Sequence, residues 1–300
     1  MRRLRVYLPA NRLWRFGPRV RALDGLDLDL AAGEVVALIG EHGCGGSTLA
    51  RVLAGELAPT AGSVRLAGDA SPGSASPRHG LYRQVQRIAP PEWPRRQQRL
   101  SVARWLGGVV HGEPLAAALR EVGLAPELAG QRLSAFDAGQ ALRLQLARAL
   151  ATRPAVLICD RIERGLGSEQ RGELWRCLRR IGAGHRLAQL VITDDLDWVR
   201  YGCRRVVVLY LGRVMEQGPS AAVLDAPAHP YTQALLAAAA GEHGRILQGE
   251  RPDPRRPPMG CVFHPRCPMA EAVCVRTAPH LQRSRVPGHY AACHFAPRDV

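Results

Sequence analysis

The stretch from Glu34 to Ala54 constrains this chain most. Glu34-Val35-Val36-Ala37-Leu38-Ile39 is a short apolar run that reads as a buried strand. It runs into Gly40-Glu41-His42-Gly43-Cys44-Gly45-Gly46-Ser47-Thr48, and from Ser47 the residues read as a helix that stops at Gly55. Strand, glycine-rich loop and helix in that order make a cradle for phosphate. Glycines let backbone N–H groups curl around an anion, and the helix N-terminus adds its positive end. The phosphate-loop pattern asks for Gly, four residues, Gly, Lys, then Ser or Thr. Gly40, Gly43, Gly45, Ser47 and Thr48 supply everything except the lysine, whose place is taken by Gly46. Taken alone, the segment is either a weakened phosphate loop or a glycine-rich turn with no ligand.

The remaining pattern is that of an α/β chain. Val156 to Asp160, Leu190 to Thr193 and Val206 to Tyr210 are further apolar strands, with a helical segment around Glu173 to Ile181. Residues 101–150 read as helices broken by turns near Gly112, Pro126 and Gly130, and residues 69–98 as a loop rich in Pro, Gly, Ser and Arg. Apolar strands alternating with helices imply a sheet covered on both faces. The pattern changes near Pro227. Residues 250–258 read as a linker, and 259–300 carry a cysteine cluster with little periodicity.

No apolar run approaches the roughly 18–20 residues that span a bilayer, so a membrane role is expected to go through partner subunits. The basic start, Met1-Arg2-Arg3-Leu4-Arg5, is followed by no apolar core, and no leader is expected. The chain has a formal charge of +15 and no lysine, so all its cationic side chains except histidine are arginine. Such charge fits either compositional bias or an anionic partner. The arginines are dispersed and lack interleaved aromatics, so no nucleic acid partner is expected.

Other segments carry a resemblance. Gly139-Gln140, Arg143 and Ala147-Arg148-Ala149-Leu150 resemble the signature helix of the ATP-binding subunits of ABC importers, and Val156 to Asp160 resembles their Walker B strand. Val20 to Gly25, Gly212 to Pro219 and His229-Pro230-Tyr231-Thr232 resemble that family's opening and late segments. The last of these and the cysteine tail point to the oligopeptide, dipeptide and nickel group. The resemblance runs from about Arg19 to Cys293. It implies a P-loop NTPase fold of ABC type with a helical subdomain at about 90–150. The nucleotide-binding domain would span 1–236, followed at 237–300 by a linker and a small Cys-rich tail. It implies ATP with Mg²⁺ at Gly40, Gly43, Gly45, Gly46, Ser47, Thr48, Asp160, Gly139 and Gln140.

The departures from that family are concerted. Pro90 stands where the family has a glutamine that senses Mg²⁺ and γ-phosphate, and Asp137 replaces the signature serine. Arg161 replaces the glutamate that polarises water, Asp194 replaces the switch histidine, and the segment Arg164-Gly165-Leu166-Gly167 lacks a terminal aspartate. Phosphoryl transfer rests on positioning and charge stabilisation, so the expectation is a pseudo-ATPase. It would pair with an intact sister ATPase on transmembrane permease subunits at the inner face of the cell membrane, and serve an extracytoplasmic solute-binding protein indirectly. The other reading is a nucleotide or iron–sulfur sensor outside transport.

Cys261, Cys267, Cys274 and Cys293 suit either [4Fe–4S] or Zn²⁺ by their chemistry, and the resemblance favours the iron–sulfur cluster. His264, His289 and His294 are expected to be surface histidines rather than ligands. Cys44, Cys159, Cys177 and Cys203 are expected to be packing residues, and Cys44 at a helix N-terminus is a lesser redox candidate.

Overall fold

The computed structural model describes residues 1–10, 18–66, 84–90, 93–109, 113–241 and 249–297. In chain order the strands and helices to Leu150 are β1 (Arg2–Pro9), β2 (Arg19–Leu26), β3 (Val35–Ile39), α1 (Gly46–Leu53), β4 (Ala61–Ser63), β5 (Val85–Ile88), α2 (Arg95–Gln98), α3 (Val102–Leu106), α4 (Glu113–Glu121) and α5 (Ala138–Leu150). Then come β6 (Val156–Asp160), α6 (Ser168–His185), β7 (Ala188–Ile192), α7 (Leu196–Gly202), β8 (Arg205–Tyr210), β9 (Arg213–Pro219), α8 (Ser220–Asp225), α9 (Pro230–Ala239), α10 (Ala272–Arg276), β10 (Gln282–Arg283) and β11 (Tyr290–Ala291). The chain divides into two compact units, one drawn from 1–29, 36–75 and 196–300, the other from 30–35 and 76–195.

In the first unit β1 lies between β2 and β4 in an antiparallel sheet. A second run pairs β3 parallel to β8, β8 antiparallel to β9, and then β11 and β10. Val36 to Ile39 and Val206 to Tyr210 are almost wholly buried, as continuous apolar runs in a parallel pairing must be. The tail does not stand apart in this unit: Tyr290 and Ala291 pair with Gln217 and Glu216 at the edge of β9. Phe263 is buried against Tyr210 and Tyr231, each with ring centroids 5.4 Å away. Burying such a ring is worth about 1.5–3 kcal/mol.

In the second unit β5, β6 and β7 run parallel, with β6 in the middle. Helices α3 to α5 form the helical stretch expected over 101–150, although the break near Gly112 lies outside the described residues. The loop expected over 69–98 needs correction where it is described. Val85–Ile88 pairs with Val156 to Cys159 as a strand, and Arg95–Gln98 is a short helix, while residues 67–83 and 91–92 lie outside the described residues. The strand was hidden because Gln86 and Arg87 interrupt its apolar pattern. Inside this unit, Trp105 meets Trp93 edge-on at 4.9 Å and carries Arg148 over its face at 4.6 Å.

Glu216 on β9 is fully buried, and three donors satisfy its carboxylate: the Ala228 N–H at 2.7 Å, the His229 N–H at 2.9 Å and His289 Nε2 at 2.6 Å. His289 is therefore a core residue, not the surface histidine the sequence led us to expect. A buried carboxylate needs this many partners to be tolerated. His229 in turn caps α9, its Nδ1 accepting from the Tyr231 N–H at 3.0 Å, which requires a neutral ring.

Burial, outweighing the pull of Glu216, brings the His229 pKa down from 6.5 to about 4. Between those values the unfolded chain binds a proton that the folded chain refuses. Stability is therefore complete above pH 6.5 and falls as pH drops toward 4, by on the order of 3 kcal/mol. His229→Asn keeps a capping acceptor and is expected to flatten this slope. Urea unfolding of both proteins at pH 7 and pH 4.5 checks it, and parallel declines would refute it.

Candidate functional site

The glycine loop closes β3 onto α1. Gly40 and Gly45 have φ of 156° and 115°, and a Cβ on either would lie 2.2 Å from the Leu209 carbonyl or 2.4 Å from the Ala22 carbonyl. Only glycine fits such positions. Gly46 is the first residue of α1 and is buried, Ser47 is exposed and Thr48 half-buried. The first turn of α1 contains no acidic residue, so nothing of its own opposes an anion there.

Residues far along the chain hold this loop. The Glu41 carboxylate takes two bonds from the Arg266 guanidinium, at 2.8 and 3.1 Å, and the Glu41 N–H donates to the Tyr231 hydroxyl at 2.8 Å. Arg266 is buried, so this charge-assisted pair is worth on the order of 2 kcal/mol. Arg251 donates to the His42 carbonyl. None of these partners was identified from sequence. Arg266 sits between two cysteines, where the cluster drew the reading, and Arg251 lies in a stretch that reads as linker.

The second unit holds the other candidate positions. Arg161 and Asp194, predicted to stand where the family has its glutamate and histidine, form an ion pair, and Arg164 Nη2 reaches the same carboxylate at 3.2 Å. Asp194 is 53% exposed, so the pair adds at most about 1 kcal/mol to stability. Arg161 adopts a left-handed backbone, φ 53°, while its N–H bonds the Ile192 carbonyl at 2.8 Å. That conformation costs about 1 kcal/mol in a non-glycine residue. Pro90 is an exposed bend residue just beyond β5.

Two further residues were missed. Arg87 on β5 places Nη1 3.2 Å from Asp160 Oδ2. Glu163 is buried; its Oε1 accepts from the Thr193 hydroxyl at 2.7 Å and the Asp194 N–H at 3.2 Å, and burial raises its pKa. Glu163 is thus turned toward Thr193.

Asp137 serves its own helix. Its Oδ1 accepts from the Gln140 N–H at 2.8 Å, and Gln140 Oε1 accepts from the Asp137 N–H at 3.2 Å, a capping box on α5. Gly139 is buried beside them.

Cys261, Cys267, Cys274 and Cys293 line one cavity together with Phe263, Met269 and other residues. Burial pushes the Cys261 thiol up to about 11, with the other three thiols adding to the effect. Four thiols suit a thiophilic metal in kind. Among the described residues, however, no group of three or more His, Cys, Asp or Glu side chains stands as a metal-holding set. Around this cavity, His264 Nδ1 is bonded to the Cys261 carbonyl and His294 Nε2 to the Thr277 carbonyl, each at 2.9 Å. Cys44, Cys159, Cys177 and Cys203 are buried packing residues.

Asp137→Ala is expected to lower stability by about 1 kcal/mol through loss of the cap, and Asp137→Ser to leave it within a few tenths. Thermal unfolding of both variants tests this; equal losses would show that Asp137 acts through its charge and not as a cap.

Comparison with known proteins agrees with this geometry. Residues 23–162 match the ABC transporter family, and residues 215–274 the oligopeptide/dipeptide transporter C-terminal region. The di/tripeptide transport ATP-binding protein DppF of Pseudomonas aeruginosa is 35% identical, over 97% of this chain and 95% of its own length. The oligopeptide transport ATP-binding protein AppF of Bacillus subtilis is 32% identical, over 92% of this chain and 90% of its own. Among solved structures, cbiO1 of Clostridium perfringens, part of the ABC transporter complex cbiONQ, superposes with a TM-score of 0.61 at 25% identity, over 75% of this chain and 89% of that one. The post-hydrolysis dimer of the ATP-binding cassette MJ0796, with ADP and Pi, gives a TM-score of 0.58 at 19% identity, over 73% and 97%, a likeness of fold. Among the described residues no helix is long and apolar enough to cross a membrane. With its glycine loop, parallel strands and late motifs, the chain belongs to the family of ABC transporter ATP-binding subunits, in the oligopeptide/dipeptide group.

Proposed function

We propose that this chain is the non-hydrolysing partner in an ATPase pair that drives a peptide importer: a subunit that holds nucleotide and couples to the permease but does not cleave ATP by itself. The observation that carries the reading is the ion pair of Arg161 and Asp194, joined by Arg164. A guanidinium tied to a carboxylate offers no base to an attacking water. Gly46 removes the loop cation, and Pro90 the amide that would sense the γ-phosphate. Each such group is worth a few kcal/mol of barrier, so their joint loss leaves little chemistry.

ABC subunits of this kind pair head to tail, each nucleotide lying between one chain's loop and the other's signature helix. An intact sister ATPase would therefore face Asp137, Ala138, Gly139 and Gln140 of this chain and retain one working site. The chain would sit at the inner face of the cell membrane, held there by permease subunits that work with an extracytoplasmic solute-binding protein. The cysteine cavity would hold [4Fe–4S], or Zn²⁺ in its place, on Cys261, Cys267, Cys274 and Cys293.

A gentle pull-down of the tagged chain from native membranes, with iron, zinc and acid-labile sulfide measured on the product, tests the assembly. Permease subunits and a second ATPase with a complete lysine loop are expected, with about four irons per chain. A lone metal-loaded protein would move the reading to a sensor outside transport, and a metal-free product would remove the cluster. Separately, Gly46→Lys is expected to tighten ATP binding about tenfold without restoring hydrolysis, because Arg161 and Asp194 remain. Brisk turnover by that single variant would refute the pseudo-ATPase.

A further inference from the structure

In P-loop ATPases Mg²⁺ is shared between the loop Ser or Thr and the Walker B aspartate. Ser47 and Asp160 are the corresponding residues, and Asp160 fails the test of fit. Its carboxylate is 7% exposed and already carries the Arg87 guanidinium at 3.2 Å, and Arg87 is itself only 22% exposed. The register explains the reach. Arg87 pairs with Ile158 in the parallel ladder, so its long side chain extends forward past one residue to the end of β6. Beside it, Arg161 and Arg164 share the single carboxylate of Asp194, and Glu163 faces Thr193. Mg²⁺ needs a carboxylate with open lone pairs and room for several waters. A divalent ion brought to Asp160 would have to displace a guanidinium held by a buried carboxylate, and would meet like charge in doing so.

We propose that this chain has exchanged its Mg²⁺ for an internal cation: Arg87 occupies Asp160, and nucleotide binds the chain without a divalent ion. The inference rests on the nucleotide-holding part of the function proposed above and names its ionic requirement. Arginine cannot leave and cannot exchange, so the site is committed to holding nucleotide. An ion that bridges β- and γ-phosphates during cleavage would have no carboxylate to return to.

Titration of the purified full-length chain with trinitrophenyl-ATP, once in EDTA and once in Mg²⁺, reads this directly. The wild-type dissociation constants are expected to agree within about twofold. Arg87→Met removes the guanidinium from the carboxylate, and binding should become at least about tenfold tighter in Mg²⁺ than in EDTA. Mn²⁺ electron paramagnetic resonance should show bound ion in the nucleotide complex of Arg87→Met and none in that of the wild type. Arg87→Met with Asp160→Asn leaves no unpaired buried charge and should stay indifferent to Mg²⁺. The wild-type pair of titrations decides the matter even if the single variant folds poorly. Wild-type binding that needs Mg²⁺, bound Mn²⁺ in the wild-type complex, or no binding in EDTA would each overturn the inference. The two failures are distinct: Mg²⁺-dependent binding beside a successful pull-down spares the transporter subunit, and metal-free binding without partners spares the inference alone.

Discussion

The first unit depends on a buried carboxylate. Glu216 has no access to water, and it is tolerable only because Ala228, His229 and His289 deliver three donors to it. Those donors come from the loop before α9 and from the turn before β11. One side chain therefore draws the late helix and the cysteine tail onto β9. His229 then fixes the start of α9, and α9 carries Tyr231 to the backbone of Glu41. The shape of the glycine loop is thus set partly by a charge buried at the far side of β9.

The second unit shows a different economy of charge. Lysine is absent, and arginine answers several of the carboxylates: Arg87 at Asp160, Arg143 at Glu173, Arg161 and Arg164 at Asp194, Arg171 at Asp195. The guanidinium's planar fork and fixed charge suit such pairs. At each of these positions a carboxylate is answered from within the same unit.

Much of this was legible in the residues. Continuous apolar runs gave β3, β6, β7 and β8 to within one or two residues, because a strand buried on both faces leaves few polar choices. The glycine spacing gave the loop, since positive φ and close carbonyls admit no side chain. Asp137 was read as the replacement of a signature serine, whereas its nearest task is capping. The misses share a cause. Arg87, Arg251, Arg266 and His289 act through partners distant in sequence, and a linear pattern carries no signal for which far residue a side chain will meet. β5 was lost because Gln86 and Arg87 break the strand pattern at the position where Arg87 has its role.

The tie between Glu41 and Arg266 joins residues 225 positions apart. Synthesis runs from the N-terminus, so β3, the glycine loop and α1 leave the ribosome long before Arg266 and Tyr231 exist. The nascent chain must carry the loop without its clamp until Arg266 has been made. A chain cut short before the tail would present an unfinished cradle, with Glu41 unanswered at its mouth. The clamp closes only once Tyr231, Arg251 and Arg266 have followed the loop out, so a local turn waits on distant chain for its final hold.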